Sequence, residues 1–190
     1  EEPQTAARRS EVERKVPTDV LYKAFHIDRR MSPDFYVFDL VSDILSNGES
    51  SRFYTSLVKE RKLFTSVNAY VSGDIEPGMF LVSGFLEKGV SFEKAEAAVN
   101  EEIDRMATEE VPEEELRKVK NKLETALLFS NMKALDKAMT LGYFELMGSA
   151  ALLNEEDRKY REVRADEVRQ AVSRCLCGSN CSTIYYKAVK

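Results

Sequence analysis

Hydrophobic and polar positions alternate with different periods along the chain, and these periods predict where the strands lie. Residues 9–16 and 18–27 predict two strands separated by Pro17, the second of them rich in strand-forming residues. Residues 67–71 alternate apolar and polar side chains with a period of two, which is typical of a half-buried strand. Turn residues at 72–78 then lead into MFLVSGFL, which predicts the antiparallel partner of that strand. Apolar side chains on both faces of this partner predict a position inside the sheet.

Helical spacing begins after the second strand. Ser32 and Pro33 predict the first turn of a helix, because Ser can cap the backbone N–H groups and Pro has the right backbone angle for the first position. Apolar residues at 37–45 continue this helix along a core-facing side, and Gly48 can end it. A second, shorter helix is predicted at about 50–62.

From Ser91 the spacing stays helical for about 85 residues, which predicts several helices rather than one. Pro112 and the three glutamates after it predict the beginning of one of them. Apolar stripes at this spacing predict sides that face the core rather than cofactor sites. Two such stripes are Phe92, Ala95, Val99, Ile103 and Met106 in the first helix, and Met132, Leu135, Met139, Tyr143 and Leu146 in a later one. The chain closes with CSTIYYKAV, whose β-branched and aromatic residues predict a strand.

The order of these elements predicts the fold class. Strands lie at the start, in the middle and at the extreme end of the chain, and helices are grouped between them. This order predicts an α+β fold, in which helices pack on one face of a mainly antiparallel sheet. A chain of 190 residues is long enough for such a layer, since a domain near this size buries roughly 70% of its unfolded surface.

Composition and charge narrow the classes of function. The chain has 43% hydrophobic and 32% charged residues, which is typical of a globular protein rather than a disordered one. A net charge of -5 argues against nucleic-acid binding, which needs a basic face. No apolar run approaches the roughly 18 residues that cross a bilayer, so we expect a soluble protein without a membrane partner. We favour a cytoplasmic location over a secreted one.

Few residues are candidates for chemistry. His26 is the single histidine, and we interpret it as structural, because zinc sites and catalytic triads need further partners that the sequence lacks. Cys175, Cys177 and Cys181 could supply three thiolates, but a closed zinc site needs a fourth ligand. We interpret them as buried or turn residues, with a small metal-binding protein as the alternative. The sequence therefore predicts no catalytic residue and no metal ligand.

Two strings nevertheless resemble a known family. They are SNGESSRFYTSLVKERKLFTSVNAYVSG at residues 46–73 and VPEEELRKVKNKLE at residues 111–124. Each string alone is weakly specific, but their order and spacing from about residue 18 to the last strand are similar to the C-terminal, non-catalytic half-domain of pitrilysin/insulinase-type zinc metallopeptidases. The resemblance implies a half-domain that encloses, together with a zinc-bearing half-domain, a chamber in which peptides are cut.

The resemblance also implies where helper residues would lie. Active members often carry an arginine in the helix and a tyrosine in the following strand, and matching the strings places Val58 and Thr65 at these positions. Valine cannot donate a hydrogen bond to a developing oxyanion, and loss of one such donor typically costs about 10² to 10³ in rate. The family zinc motif is absent here, so zinc is expected in the N-terminal half of the parent protein, and the substrate-binding residues stay unassigned.

These observations predict the organisation of the chain. We expect residues 1–17 to be a linker or an edge strand and residues 18–190 to be a single α+β half-domain. Because the sequence begins at Glu1 rather than Met, we also expect it to be a piece of a longer parent chain. The predicted function is that of a non-catalytic domain which shapes the chamber of a zinc-dependent metalloendopeptidase. The alternative is a non-proteolytic scaffold or binding subunit of the same fold. The expected partners are the zinc-bearing half-domain and, through the parent, a peptide substrate; an exposed sheet edge or chamber face would also allow a homodimer.

Overall fold

A computed structural model describes residues 4–130 and 132–189, so residues 1–3 of the predicted linker lie outside the described part. The strands are β1 Arg8–Arg14, β2 Val20–Ile27, β3 Phe64–Val71, β4 Gly78–Leu86 and β5 Cys181–Ala188. The helices are α1 Pro33–Ser46, α2 Phe92–Thr108, α3 Glu113–Ser130, α4 Ala134–Leu146, α5 Glu156–Glu162 and α6 Ala165–Cys175, with a π-helix at Tyr54–Glu60 and 3-10 helices at Ala150–Glu155 and Gly178–Asn180. The predicted α+β fold is confirmed.

The strands form one sheet in the order β1-β5-β2-β4-β3. β3 and β4 are an antiparallel pair and β4 lies between β2 and β3, so both predictions about this hairpin are confirmed. β2 is antiparallel to β4 and to β5, whereas β1 runs parallel to β5 at the edge. The sheet is therefore mixed, with one parallel pairing between strands from the two ends of the chain. Local periodicity carries no information on the direction of such a distant pairing.

Helix α1 begins where the sequence predicts it. The Ser32 side chain accepts a hydrogen bond from the Phe35 backbone N–H at 3.3 Å, and Pro33 occupies the first turn. Gly48 follows the helix with a φ of 98°, a left-handed conformation that suits glycine. The predicted stripe of α2 is buried along its whole length, together with the side of α1 that faces the sheet. These helices cover one face of the sheet and enclose the core with it.

A buried carboxylate joins α2 to the sheet. Glu96 is 7% exposed, and its oxygens lie 3.0 Å from Lys23 Nζ, 2.6 Å from Tyr185 Oη and 2.6 Å from an Arg9 nitrogen. Thr183 adds a hydroxyl at 3.2 Å. Burial by itself raises the pKa of Glu96, but the hydrogen bond from Tyr185 and the charge of Lys23 outweigh burial and bring that pKa to about 2. The charged side chains of this layer are thus paired beneath the helices.

The apolar stripe of α4 is not in the core, so the prediction for it was wrong. Of its five residues, Met132, Leu135, Met139 and Leu146 are 68% to 78% exposed. Leu128 and Phe129 at the end of α3 are also more than 60% exposed. In α4 itself only Phe144 is buried, while Tyr143 donates a hydrogen bond from its hydroxyl to the Gly73 carbonyl at 2.7 Å. Helical spacing predicts that one side of a helix is apolar, but it does not predict which surface covers that side.

Within the described ranges, none of the helices has the length and apolar character needed to cross a bilayer.

Candidate functional site: the open face of the sheet

The face of the sheet opposite the helices carries a second set of side chains, which we call the open face. Cross-strand register places them together: Tyr22 lies between Ser83 on β4 and Ile184 on β5, and Tyr70 lies beside Leu81. None of these side chains is fully buried. The open face comprises Tyr22, Ala24 and His26 from β2, Asn68 and Tyr70 from β3, Met79, Leu81, Ser83 and Phe85 from β4, and Ser182, Ile184 and Tyr186 from β5.

The open face is largely apolar and aromatic although it faces solvent. Tyr22, Tyr70, Met79, Phe85 and Ile184 are 38% to 47% exposed. The rings of Tyr22 and Tyr186 meet edge to face, with centroids 6.3 Å apart and an interplanar angle of 88°. The solvated face of an antiparallel sheet is usually polar, so an apolar one is typical of a surface that binds something.

The open face also carries no charged side chain, although charged residues make up 32% of the chain. The one charged residue of β2, Lys23, points the other way and pairs with Glu96 beneath the helices. Among the described strands, β1 at the edge carries the charges of this side: Arg8 shares the face of Ser182, and Arg14 shares that of Ala188. The chemistry available on the four inner strands is therefore apolar contact, aromatic packing and neutral hydrogen bonding.

His26 lies on the open face, in register with Met79. Its backbone carbonyl accepts a hydrogen bond from the Asn180 side chain at 2.8 Å, which ties β2 to the turn before β5. Among the residues that the structure describes, no group of three or more His, Cys, Asp or Glu side chains is placed to hold a metal ion. The structural interpretation of His26 stays a prediction.

The two positions matched to the family's helper residues lie just before and at the start of β3. Val58 is on the π-helix, half-buried and packed against the core. Thr65 is exposed, and its hydroxyl donates to the Phe85 backbone carbonyl at 3.2 Å. Neither side chain offers a charged donor to the open face, and the substrate-binding residues stay unassigned.

The two strings that carry the family resemblance are joined by a salt bridge that sequence reasoning missed. The Arg52 guanidinium binds both carboxylate oxygens of Glu115, at 3.1 and 2.7 Å. Lys118 donates to the Ser50 hydroxyl, and Lys122 donates to the Asn47 carbonyl at 3.1 Å. The spacing of the three α3 residues, which share one helix side, was the signal for this contact. It anchors α3 to the turn that ends α1.

The three cysteines lie on different parts of the C-terminal segment. All three thiols are free; Cys175 ends α6, Cys177 precedes a 3-10 turn and Cys181 begins β5 in the core. Cys177 Sγ lies 3.2 Å from the Ser179 hydroxyl, and this hydrogen bond lowers the pKa of the Cys177 thiol. Their roles stay a prediction.

The chain is similar in fold to several proteins of known structure. The family model described as "Peptidase M16 inactive domain" matches residues 1–123. A protein from Bordetella pertussis Tohama I described as a zinc protease has 25% identity and a TM-score of 0.80, covering 90% of this chain and 95% of that one. The inactive peptidase domain of a Bordetella parapertussis protein, also described as a zinc protease, has 24% identity and a TM-score of 0.84, covering 93% and 96%.

A protease from Helicobacter pylori has a TM-score of 0.92 at 15% identity, and it is matched over 98% of this chain but only 45% of its own length. This chain therefore spans less than half of that protease and nearly all of the Bordetella domains. No protein with a curated description matches the sequence. The match to more than half of the chain confirms the resemblance: the chain belongs to the peptidase M16 inactive-domain family, the non-catalytic C-terminal half of a pitrilysin/insulinase-like zinc metallopeptidase.

Proposed function

We propose that this chain is the half of a zinc-dependent metalloendopeptidase that shapes the substrate chamber while a zinc-bearing N-terminal half cuts the peptide. The observation that carries the proposal is the open face, an uncharged and partly exposed apolar surface on one side of the sheet. Such a surface fits the wall of a chamber that receives unfolded peptides. The family to which the chain belongs supports the same role.

The zinc-bearing half has a separate candidate docking site. We assign it to the α3–α4 apolar surface, which comprises Leu128, Phe129, Met132, Leu135, Met139 and Leu146. Each of these side chains is at least 65% exposed, so its burial against a partner removes apolar area from water at about 25 cal/mol per Å². Surfaces of this kind mark protein interfaces. Zinc belongs to the other half in this proposal, and this chain supplies none of its ligands.

The experiment joins the two halves. The zinc-bearing segment encoded upstream of this chain is produced alone and together with it, and hydrolysis of an internally quenched peptide is measured. We expect cleavage only from the pair, and none from this chain alone. Replacing both Leu135 and Met139 by Asp should prevent copurification and cleavage. Ala97→Asp, on the exposed side of α2, is the matched control and should leave both unchanged.

A non-proteolytic scaffold subunit is the second candidate. It is favoured by Val58, which has no hydrogen-bond donor for an oxyanion, and by Thr65, whose hydroxyl already donates to the Phe85 backbone carbonyl. An upstream segment without a His-x-x-Glu-His helix, or an assembled pair that binds zinc but cleaves no peptide, would support the scaffold and reject the protease.

A further inference from the structure

A small cavity lies where the turn after α1 meets α3. Its volume is about 270 Å³, and it sits where the two strings that carry the family resemblance come together. The turn at residues 47–51 forms one wall, and the side of α3 that carries Lys118 and Lys122 forms another. A water molecule takes roughly 30 Å³ in the liquid, so the cavity has room for a small ion with part of its hydration shell.

Two ammonium groups converge on this turn. Lys118 donates to the Ser50 hydroxyl. Lys122 donates to the Asn47 backbone carbonyl at 3.1 Å and to the Asn47 side-chain oxygen at 2.5 Å. The two lysines are four positions apart and therefore share one side of α3. Within the described ranges neither forms a salt bridge with a carboxylate, because their acceptors are neutral oxygens.

The carboxylates of the cavity wall have other partners. Glu115 is held by both nitrogens of the Arg52 guanidinium, and Asp43 accepts a hydrogen bond from the Asn47 side-chain amide at 2.6 Å. Glu49 belongs to the turn but does not line the cavity. Three cations, the two lysines and Arg52, thus face two carboxylates, and the charge left over is positive.

A buried hydroxyl completes the wall. Ser51 lines the cavity and is 4% exposed, and its Oγ has no hydrogen-bond partner among the residues that the structure describes. Buried hydroxyls are nearly always paired, so an unpaired one marks a place where a polar ligand is expected. The neighbouring Ser50 hydroxyl accepts from Lys118 and keeps its own proton to donate.

We infer that this cavity binds a phosphate group, whose oxygens accept hydrogen bonds from two ammonium groups and two hydroxyls. The donors are Lys118, Lys122, Ser50 and Ser51. A phosphate group carries roughly 1.5 to 2 negative charges near pH 7 and has enough acceptor oxygens for all four donors. A carboxylate has one charge and two oxygens, so it matches this set less well. The site is separate from the open face and does not depend on the proposed protease role.

The test titrates the ¹⁵N-labelled chain with inorganic phosphate, O-phosphoserine and acetate in a chloride buffer of constant ionic strength. We expect saturable amide shifts at Gly48, Ser50 and Ser51, a Kd for inorganic phosphate below about 1 mM, and binding of acetate at least about tenfold weaker. If O-phosphoserine binds as tightly as inorganic phosphate, the site accepts phosphate groups of larger molecules; if it does not bind, the ligand is the free ion. Equal affinity for acetate, shifts confined to other parts of the chain, or no saturation at millimolar phosphate would overturn the inference.

Charge removal on α3 locates the site. Lys118→Gln and Lys122→Gln should each weaken phosphate binding about tenfold, because each removes one charge-assisted hydrogen bond. Arg117→Gln is the matched control, since it removes the same charge from the same helix at a residue outside the cavity wall. It should change the affinity by less than about twofold. Equal losses in all three variants would show attraction by the general charge of α3 and reject the site.

Ser51→Ala separates a ligand-binding role from a structural one. In phosphate-free buffer the variant should unfold at the same temperature as wild type or slightly above it, because the lost hydroxyl has no partner in the fold. Saturating phosphate should raise the unfolding temperature of wild type by mass action, and the variant should gain less than half of that rise at the same phosphate concentration. Full stabilisation of Ser51→Ala by phosphate, or a large loss of stability in phosphate-free buffer, would contradict the role of this hydroxyl in the site.

Discussion

Neighbouring residues of β2 lie in two different environments. Tyr22 stands on the open face and is 38% exposed, whereas Lys23 is 3% exposed under the helices and pairs with Glu96. An apolar side chain thus faces solvent while a charged one is buried, the reverse of the usual arrangement. On the face covered by the helices, the salt bridge between Lys23 of β2 and Glu96 of α2 holds α2 on the sheet. The open face presents its apolar groups to solvent.

The largest expected effect compares two phenylalanines of β4. Phe80 is 0% exposed and packs against Phe38, so Phe80→Ala should lower the free energy of unfolding by about 3 to 5 kcal/mol. Phe85 is 45% exposed on the open face, and Phe85→Ala should cost less than about 1 kcal/mol. Urea unfolding of both variants measures the difference. Similar losses would mean that the open face belongs to the core of the isolated chain.

The second effect concerns the buried charge under the helices. Glu96→Gln leaves Lys23 without its charged partner, and we expect a loss of about 3 kcal/mol at pH 7. The pKa of Glu96 is about 2 in the folded chain and near 4.5 ordinarily, so the unfolded chain binds a proton first as the pH falls. The stability that Glu96 contributes is therefore complete above about pH 4.5 and is lost toward pH 2.

Denaturant unfolding of wild type and Glu96→Gln between pH 7 and pH 2 tests this linkage. The difference in stability between the two proteins should shrink steadily below about pH 4.5. Other carboxylates titrate in both proteins and cancel in the difference. A difference that stays constant down to pH 2 would show that the charge of Glu96 does not stabilise the fold.

The sequence predicts only part of the contrast between the helix-covered face and the open face of the sheet. Local patterns predict individual elements, and distant contacts are not predicted. Local periods predict the helix begun by Ser32 and the β3–β4 hairpin, because cap and turn chemistry lie within a few residues. Apolar residues on both faces of β4 correctly predict its inner position. They do not reveal that one of these faces is open, because the same pattern fits a strand covered on both sides.

The sequence pattern did not predict contacts between residues that are far apart along the chain. The stripe that includes Leu135 and Met139 has the spacing of a core helix, yet the structure leaves both side chains mostly exposed. The pairing of Arg52 with Glu115 joins residues 63 positions apart, and the sequence pattern gave neither residue a role. The parallel pairing of β1 with β5 likewise depends on tertiary structure. For the candidate site, alternation predicts which residues share a strand face, but not that the open face lacks charge on four adjacent strands.

The third effect concerns the salt bridge between Arg52 and Glu115, which anchors α3 to the turn after α1. Arg52 binds Glu115 through two parallel hydrogen bonds, which a lysine cannot reproduce. Arg52→Lys should therefore lower the free energy of unfolding by about 1 to 2 kcal/mol, measured by urea unfolding. The exposed pair Arg61 and Glu101 supplies the control, because Arg61→Lys should cost less than about 0.5 kcal/mol. Equal costs would show that the Arg52–Glu115 pair stabilises the fold no more than an exposed ion pair does.

The smallest effect lies at the boundary between the two faces, where α1 meets the edge strand β3. The Ser46 hydroxyl accepts the Ala69 backbone N–H at 2.8 Å and lies 3.0 Å from the Ala69 carbonyl oxygen. Ser46→Ala removes these contacts and should cost about 1 kcal/mol, while Ser66→Ala on the exposed side of β3 should cost almost nothing.

The same change should alter association, because an uncovered strand edge can pair with another chain. Sedimentation of Ser46→Ala at rising concentration should show more dimer than wild type, and an added Tyr70→Lys on the same strand should reverse that gain. If wild type already forms the same dimer, association does not use the β3 edge. In that case the open face or the α3–α4 apolar surface would account for the contact between copies.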